Sequence, residues 1–206
     1  MDDNEGSPVV QSSWWRRLWN RPGKWFLLGI PAGGYLLFVV GVLFWTTFNL
    51  ALDYSNTEAF CISCHVMKDN VYAEYQETFH YSNRTGVRAI CSDCHVPKQW
   101  TGKIARKLRA TVHEVPHFIL GTIDTPEKFE ARRLYLAKRV WEDMMGSDSR
   151  EYRNCHELEH MDLDKQQLSA SRKHTLKRAI ERGETCIECH QGVAHKLPED
   201  WEDEFE

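Results

Sequence analysis

The chain has 206 residues, enough for one modest domain with short appendages but too few for a large multidomain protein. Its formal net charge is −4 at pH 7, and the last eight residues, 199–206, carry six acidic side chains, so the rest of the chain is close to neutral. We therefore expect residues 199–206 to form a solvated acidic tail, and we expect no nucleic-acid partner.

The first predicted element is a membrane-spanning helix over residues 25–52, a stretch without any charged side chain. This length spans a bilayer as one helix, with a bend expected at Pro31. It exceeds the apolar part of a cleaved signal peptide, so we expect an uncleaved anchor. Four basic side chains in residues 1–24 precede the span, and the positive-inside rule keeps that segment in the cytoplasm. The prediction is a single-pass protein of the cell inner membrane, with residues 53–198 as a periplasmic domain.

Three copies of a C-x-x-C-H motif follow, and they contain six of the seven cysteines. This motif is typical of haem c attachment, because two thiols add across the haem vinyl groups and the adjacent histidine ligates the iron. Zinc is an alternative, but a zinc site gives no reason for a histidine directly after each second cysteine. A disulfide framework is disfavoured because two-residue spacings close only tiny loops. The predicted haem residues are Cys61, Cys64, His65, Cys91, Cys94, His95, Cys186, Cys189 and His190.

A fourth stretch, YRNCH at residues 152–156, matches the motif except that Tyr152 stands where the first cysteine belongs. We predict that it still holds a haem, tethered by Cys155 alone and ligated by His156. Two alternatives stay open: the attachment machinery rejects the site and leaves three haems, or Tyr152 is an alteration of an original cysteine. The chain has ten histidines, so six remain outside the motifs as opposite iron ligands.

The periodicity of residues 53–198 predicts a mainly α domain with little or no sheet. Helices are expected over residues 103–115, 125–146 and 166–183, the first of them basic and amphipathic and the second capped by Thr125 or Asp124. Continuous apolar runs are too few for an ordinary core. We therefore expect the haems to form much of the core and haem attachment to be coupled to folding.

The chain resembles the NapC/NirT family of membrane-anchored tetrahaem quinol dehydrogenases. The stretches that carry the resemblance are AFCISCHVM, ICSDCHVP, GTIDTPEKFEARR, YRNCHELEHMD and CIECHQGVAHKLP. It implies four haem c groups, oxidation of ubiquinol or menaquinol in the bilayer, and electron transfer to a periplasmic nitrate or nitrite reductase or to its cytochrome subunit. A homo-oligomer is left open.

The resemblance also implies axial ligands beyond the motif histidines. A relative with the form C-x-x-C-H-x-M uses the methionine at the first iron, so Met67 and His65 are both candidates there. His174 is expected opposite the second haem, His195 opposite the third and His80 opposite the fourth.

Quinol oxidation releases two electrons and two protons, whereas each haem accepts one electron, so the quinol site needs a base beside the first haem. Relatives place a lysine and an acidic residue in this region. The matching candidates are Lys98, Lys103, His113, Glu114 and Asp124, of which we favour His113 and Glu114. The basic helix that carries three of them also suits an anionic membrane surface without any chemistry.

Two other functions are kept as alternatives. In the first, the chain is a pure electron-transfer subunit that receives electrons from another membrane protein and does not oxidise quinol itself. In the second, it is a haem enzyme that reduces a substrate at an open iron, one with a free coordination position. The supply of histidines for sixth ligands argues against the open iron.

Overall fold

The computed structural model describes residues 14–19, 26–27, 30–175 and 183–202. The chain divides into two compact units, Met1–Tyr54 and Ser55–Glu206. Helices account for most of the regular structure in the described residues, and the predicted mainly α fold is confirmed.

The first unit contains the apolar helix that anchors the protein in a membrane. Helix α2 has 23 residues, about 35 Å at 1.5 Å per residue, with a mean hydropathy of 1.9 over its most apolar window. It begins seven residues after the predicted start, because Pro31 has no amide hydrogen and disfavours helix at the residue before it. The bounds in this unit are α1 Trp14–Trp19, β1 Phe26–Leu27, its antiparallel partner β2 Ile30–Pro31, and α2 Ala32–Tyr54.

The second unit carries all four motifs on short helices joined by turns. Its α-helices are α3 Glu58–Cys61, α4 Ala73–Tyr75, α5 Cys91–His95, α6 Trp100–Leu120, α7 Pro126–Glu130, α8 Arg133–Gly146, α9 Arg150–Arg153 and α10 Leu168–Lys173. A π-helical segment covers Met67–Tyr72, and 3₁₀ turns cover Leu158–His160, Leu163–Lys165 and Cys186–Glu188.

The three helices predicted in the second unit agree with the observed helix bounds to different extents. The helix expected over 103–115 is the centre of the longer α6. The one expected over 125–146 is capped by Thr125, as predicted, but is divided into α7 and α8 at residues 131–132. The third helix was expected over 166–183. Helix α10 covers the first part of that range, and residues 176–182 lie outside the described residues.

The apolar core of the second unit is small. Trp141, Met144 and Ile187 form its one cluster of buried residues in the described part of the chain, and Tyr152 packs against them. Trp201 packs there as well, so this part of the acidic tail is not freely solvated, while residues 203–206 lie outside the described residues. The buried apolar side chains are Val66, Tyr75, Phe129, Trp141, Met144 and Ile187.

Candidate haem sites

Three of the four motif histidines face a second histidine that lies outside the motifs. The ring centroids of His95 and His195 are 6.2 Å apart, as are those of His156 and His80. The third pair is His190 and His174, with centroids 5.7 Å apart and their Nε2 atoms separated by 3.5 Å. A metal–nitrogen bond is about 2.0–2.1 Å, so two nitrogens on opposite sides of one metal lie roughly 4 Å apart. The paired imidazoles therefore fit a six-coordinate iron between them.

The pairs differ from the expected ones. His174 faces the fourth motif and not the second, His195 faces the second and not the third, and His80 faces the third and not the fourth. Long-range hydrogen bonds to backbone carbonyls hold two of these histidines in place. His195 Nδ1 lies 3.2 Å from the carbonyl oxygen of Val71, and His80 Nδ1 lies 3.4 Å from that of Val193. The facing pairs thus differ from those that the resemblance implies, and the assignment of each histidine to an iron stays a prediction.

The ring environments favour neutral imidazoles. Burial lowers the pKa of His95 to about 4, with His195 and Arg106 adding to the effect. Burial also lowers the pKa of His190 and of His195. A histidine must be neutral to ligate a metal, so these pKa directions suit iron ligation at neutral pH.

The first motif differs from the other three. His65 Nε2 lies 3.0 Å from the backbone carbonyl oxygen of Asp124 instead of facing a second histidine. The Asp124 carboxylate pairs with Lys128 at 2.6 Å, which lowers the pKa of Asp124. Met67 lies at the start of the π-helical segment and is 37% exposed. Met67 and His65 both remain candidates for the first iron.

The four motifs lie in contact in the order of the sequence. Helices α3 and α5, which carry the first cysteines of the first and second motifs, lie in contact, and the neighbouring Cys91 side chain lowers the pKa of Cys61 to about 7. Burial raises the pKa of Cys94 to about 11, and the nearby Cys155 of the third motif adds to the increase. The Tyr152 hydroxyl donates to the carbonyl oxygen of His190 at 2.8 Å and so joins the third motif to the fourth.

A zinc site does not fit this arrangement. Within the ranges that the structure describes, no group of three or more His, Cys, Asp or Glu side chains is placed to hold a metal ion. Structural zinc needs four such ligands around one point. The facing pairs of histidines would instead supply two nitrogen ligands to a haem iron.

Four of the five candidate quinol residues lie at two separate places in the structure. Lys98 and Lys103 line a cavity of about 160 Å³ beside the second motif. His113 and Glu114 are exposed farther along α6, and ten residues of helix, roughly 15 Å, lie between Lys103 and His113. Sequence reasoning therefore grouped residues that the fold does not bring together.

Two residues at these places carried no sequence signal. Asn56 lines the cavity, and its buried Oδ1 has no hydrogen-bond partner among the residues that the structure describes. Arg106 pairs with Glu114 at 2.6 Å, and its Nε donates to the carbonyl oxygen of His95 at 3.2 Å. Arg106 thus connects Glu114 to the second motif, a link that the basic pattern of α6 does not reveal.

Comparison with known proteins agrees with the geometry. The profile of the NapC/NirT cytochrome c family, N-terminal region, matches residues 28–200. The chain is 57% identical over 176 residues to the denitrification system component NirT of Stutzerimonas stutzeri, covering 84% of this chain and 86% of that protein. It is 45% identical over 201 residues to the cytochrome c-type protein NapC of Escherichia coli K12, covering 97% and 96%. It is 41% identical over 188 residues to the cytochrome c-type protein TorC of E. coli K12, covering 89% of this chain and 47% of that one. No solved structure matches.

Proposed function

The chain belongs to the NapC/NirT cytochrome c family, and we propose that it is a quinol dehydrogenase that passes electrons from membrane quinol through four haem c groups to a periplasmic reductase. The observation that carries this proposal is the set of three motif histidines that each face a second histidine. Histidine on both sides of an iron leaves no open position for a small substrate. The geometry therefore favours electron transfer over a haem enzyme.

The motif cysteines are the proposed covalent attachment points. Bound haem supplies one-electron oxidation and reduction at its iron. At each cysteine the S–H bond adds across a vinyl double bond, so that one C–S bond forms and the hydrogen goes to the neighbouring carbon. Tyr152 has no thiol, so Cys155 would form the single thioether at the third site, and His156 and His80 would be the residues that bind its iron.

Mass spectrometry under denaturing conditions tests this attachment. We expect four haems on the intact chain, and haem on the tryptic peptide 154–165 that contains Cys155. A pyridine haemochrome spectrum should report one unsaturated vinyl group. A protein with three haems, in which Cys155 is free to alkylate, would contradict the proposal.

The contact order of the motifs supports a single electron path. We infer that electrons enter at the first motif, which follows the end of α2 most closely in sequence, and leave from the fourth. The path runs by the contact of α3 with α5, the contact of α5 with α9, and the hydrogen bond from Tyr152 to the fourth motif.

Quinol oxidation needs an acceptor for each released proton and for each hydroxyl hydrogen bond. At the cavity, the Asn56 Oδ1 atom is an acceptor for a quinol hydroxyl, and the ammonium groups of Lys98 and Lys103 favour an anionic quinol. On α6, Glu114 is a carboxylate base beside His113, and Arg106 links it to the second motif. We keep His113 and Glu114 as the proposed proton acceptors, with Lys98 and Lys103 as contacts to the quinol.

Substitutions at the α6 pair and at the lysine pair distinguish a quinol site on α6 from one at the cavity. We expect Glu114→Gln and His113→Ala to slow quinol oxidation by about tenfold or more, as loss of a general base does, with haem content unchanged. Glu142→Gln, an exposed carboxylate on α8, is the control. Unchanged rates in both α6 variants at saturating quinol would reject them, and slowing only in Lys98→Gln and Lys103→Gln would assign proton transfer to the cavity.

The proposed partner is a periplasmic reductase of nitrate or nitrite respiration, because the relative NirT is a component of a denitrification system. The competing function is an electron-transfer subunit fed by another membrane protein. Stoichiometric oxidation of quinol by the purified chain would exclude that alternative. Co-purification of a reductase with the membrane-extracted chain would identify the acceptor.

We propose that the N-terminus stays uncleaved in the cytoplasm and that the motifs lie in the periplasm of a cell inner membrane. The basic side chains before α2 support this orientation. The intact mass of the membrane-extracted protein tests it. A mature chain that begins near residue 50 would contradict an uncleaved anchor.

A further inference from the structure

The start of helix α6 packs closely on the segment that follows the second motif. Gly102 lies in the first turn of α6, and a Cβ atom there would be 2.9 Å from the Cβ atom of Pro97. Carbon atoms that are not bonded to each other prefer about 3.5–4.0 Å. Because Gly102 has no side chain, this face of α6 can lie directly against the residues after His95.

Arg106 lies one turn farther along the same face of α6. Residues 102 and 106 are four positions apart, and such residues share a face of a helix. The Arg106 Nε atom donates to the backbone carbonyl oxygen of His95 at 3.2 Å, and its side chain is only 25% exposed. A guanidinium group keeps its positive charge at any pH of interest. Arg106 is therefore a fixed positive charge in contact with the histidine of the second motif.

Glu114 is the counter-charge of Arg106, and it lies nearer to solvent. The Arg106 guanidinium pairs with a carboxylate oxygen of Glu114 at 2.6 Å, and the Glu114 side chain is 55% exposed. Water and salt screen an exposed charge more than a half-buried one. Arg106 also contacts the motif backbone directly, whereas Glu114 is joined to it through Arg106. Of the two charges, that of Arg106 therefore acts more strongly on the second motif.

We propose that Arg106 raises the reduction potential of the haem iron held by His95, and that the Glu114 carboxylate partly offsets this effect. Reduction removes one unit of positive charge from a haem iron, so a cation nearby stabilises the reduced state. The fixed cation beside the second motif therefore makes that site the better electron acceptor.

A consequence follows for quinol oxidation, and this consequence rests on the proposed function. When Glu114 takes up a proton from the quinol, its negative charge is lost, and the Arg106 charge then favours electron uptake at the second site more strongly. Electron uptake in turn favours the protonated form of Glu114, because such a coupling between two sites is reciprocal. The ion pair thus links the proton and the electron that leave the quinol.

A potentiometric titration of the full-length, haem-loaded protein in detergent tests the proposal. Absorption and electron paramagnetic resonance follow each haem while soluble mediators set the potential. For Arg106→Gln, we expect the ratio of reduced to oxidised iron at one low-spin haem to fall about tenfold at a fixed potential, a shift of about 59 mV to lower potential. Glu114→Gln should shift the same haem to higher potential by a smaller amount. Arg106→Lys keeps the charge and should retain most of the potential.

The neighbouring ion pair of α6 provides the control. Arg109 pairs with Asp143 of α8, and both side chains are 51% exposed. Arg109→Gln removes a charge of the same kind from the same helix, and we expect a much smaller shift at every haem. A pyridine haemochrome assay that finds the same haem content in each variant establishes that the sites are intact. If Arg106→Gln loses haem, Arg106→Lys and Glu114→Gln decide the question.

Four outcomes would overturn the proposal: an unchanged potential in Arg106→Gln, an equal shift in Arg109→Gln, a lower potential in Glu114→Gln, or a potential in Arg106→Lys that falls as far as in Arg106→Gln. These measurements need no quinol. A purified chain that fails to oxidise quinol would reject the proposed function, and the potentials would still decide the effect of Arg106. Unchanged potentials in a chain that oxidises quinol would overturn the inference while the proposed function stands.

Discussion

At the residue scale, Arg133 is the buried charge that connects the most distant parts of the haem domain. Its guanidinium donates to both carboxylate oxygens of Glu74 and pairs with Glu130 at 2.6 Å. The Arg133 and Glu74 side chains are only 9% and 10% exposed. Glu74 also accepts from the backbone N–H of Lys196, so one ion pair joins α4, α8 and the segment after the fourth motif.

Replacement of Arg133 should therefore destabilise the domain strongly. Arg133→Met leaves the Glu74 carboxylate buried without its cation, a change that typically costs about 3–5 kcal/mol. We expect a clearly lower urea midpoint, measured by far-ultraviolet circular dichroism of the haem-loaded protein. Lys165→Ala, which breaks the exposed pair with Asp162, should cost no more than about 1 kcal/mol. Equal midpoints for the two variants would contradict the role of Arg133.

Tyr152 replaces a covalent bond to one haem by a hydrogen bond to the next site. Its ring packs on the buried cluster, burial raises its pKa, and its hydroxyl donates to the carbonyl oxygen of His190. The side chain that the motif lacks is thus replaced by a contact between the third and fourth sites.

Two substitutions separate these effects. Tyr152→Phe keeps the ring and removes the hydrogen bond, so we expect a loss of about 1 kcal/mol with haem still on Cys155. Tyr152→Cys completes the motif and should convert the remaining vinyl group into a thioether, with the haem count unchanged. The pyridine haemochrome spectrum reads the vinyl group. A vinyl signal that persists in Tyr152→Cys would mean that the attachment machinery does not act at this site.

At the scale of elements, the connection between α6 and α7 determines what the first motif meets. Gly121 ends α6 with a φ of 59°, and Thr125 caps α7. Lys128 Nζ donates to the Gly121 carbonyl oxygen at 2.9 Å and to the Asp124 carboxylate at 2.6 Å. The closed turn presents the Asp124 backbone to His65.

Gly121→Ala should disturb that turn. A Cβ atom at residue 121 would lie 2.8 Å from Asp124 Oδ2, and a left-handed conformation costs a non-glycine residue roughly 1–2 kcal/mol. We expect a lower urea midpoint and an altered electron paramagnetic resonance signal from the first haem. Gly146→Ala is the matched control, because open space surrounds Gly146 at the end of α8 and alanine is the better helix former. An unaltered first-haem signal in Gly121→Ala would separate the turn from the first site.

At the scale of the whole molecule, the haem domain has too little apolar core to fold on its own side chains. The described residues include only six buried apolar side chains, and three of them form the single buried cluster. The facing histidines and the motif cysteines are instead the residues that would hold the haems. Folding and cofactor attachment are then one process.

The chain produced without haem attachment should consequently lack fixed tertiary packing. We expect low near-ultraviolet circular dichroism, rapid hydrogen exchange in α8 and no cooperative urea transition. The haem-loaded protein, prepared in the same detergent, is the control. A cooperative transition of the haem-free chain would show that the protein core suffices.

The sequence by itself determined the features that depend on short-range chemistry. The charge-free run identified the anchor helix, and helical periodicity identified the mainly α fold and the amphipathic α6, while the C-x-x-C-H spacing predicts the attachment residues. The cap at Thr125 was also readable, because a capping side chain acts on the backbone three residues away. Proximity along the chain is sufficient for each of these features.

Only the tertiary structure decided which histidine meets which motif. Hydrogen bonds from His195 to Val71 and from His80 to Val193 span more than a hundred residues, and no spacing rule encodes them. The same holds for the separation of Lys103 from His113 and for the buried oxygen of Asn56. The division between α7 and α8 at residues 131–132 also follows from packing, since both Phe129 and Arg133 are buried beside it. Long-range contacts are selected by the shape of the folded chain, and the local pattern of residues does not contain that information.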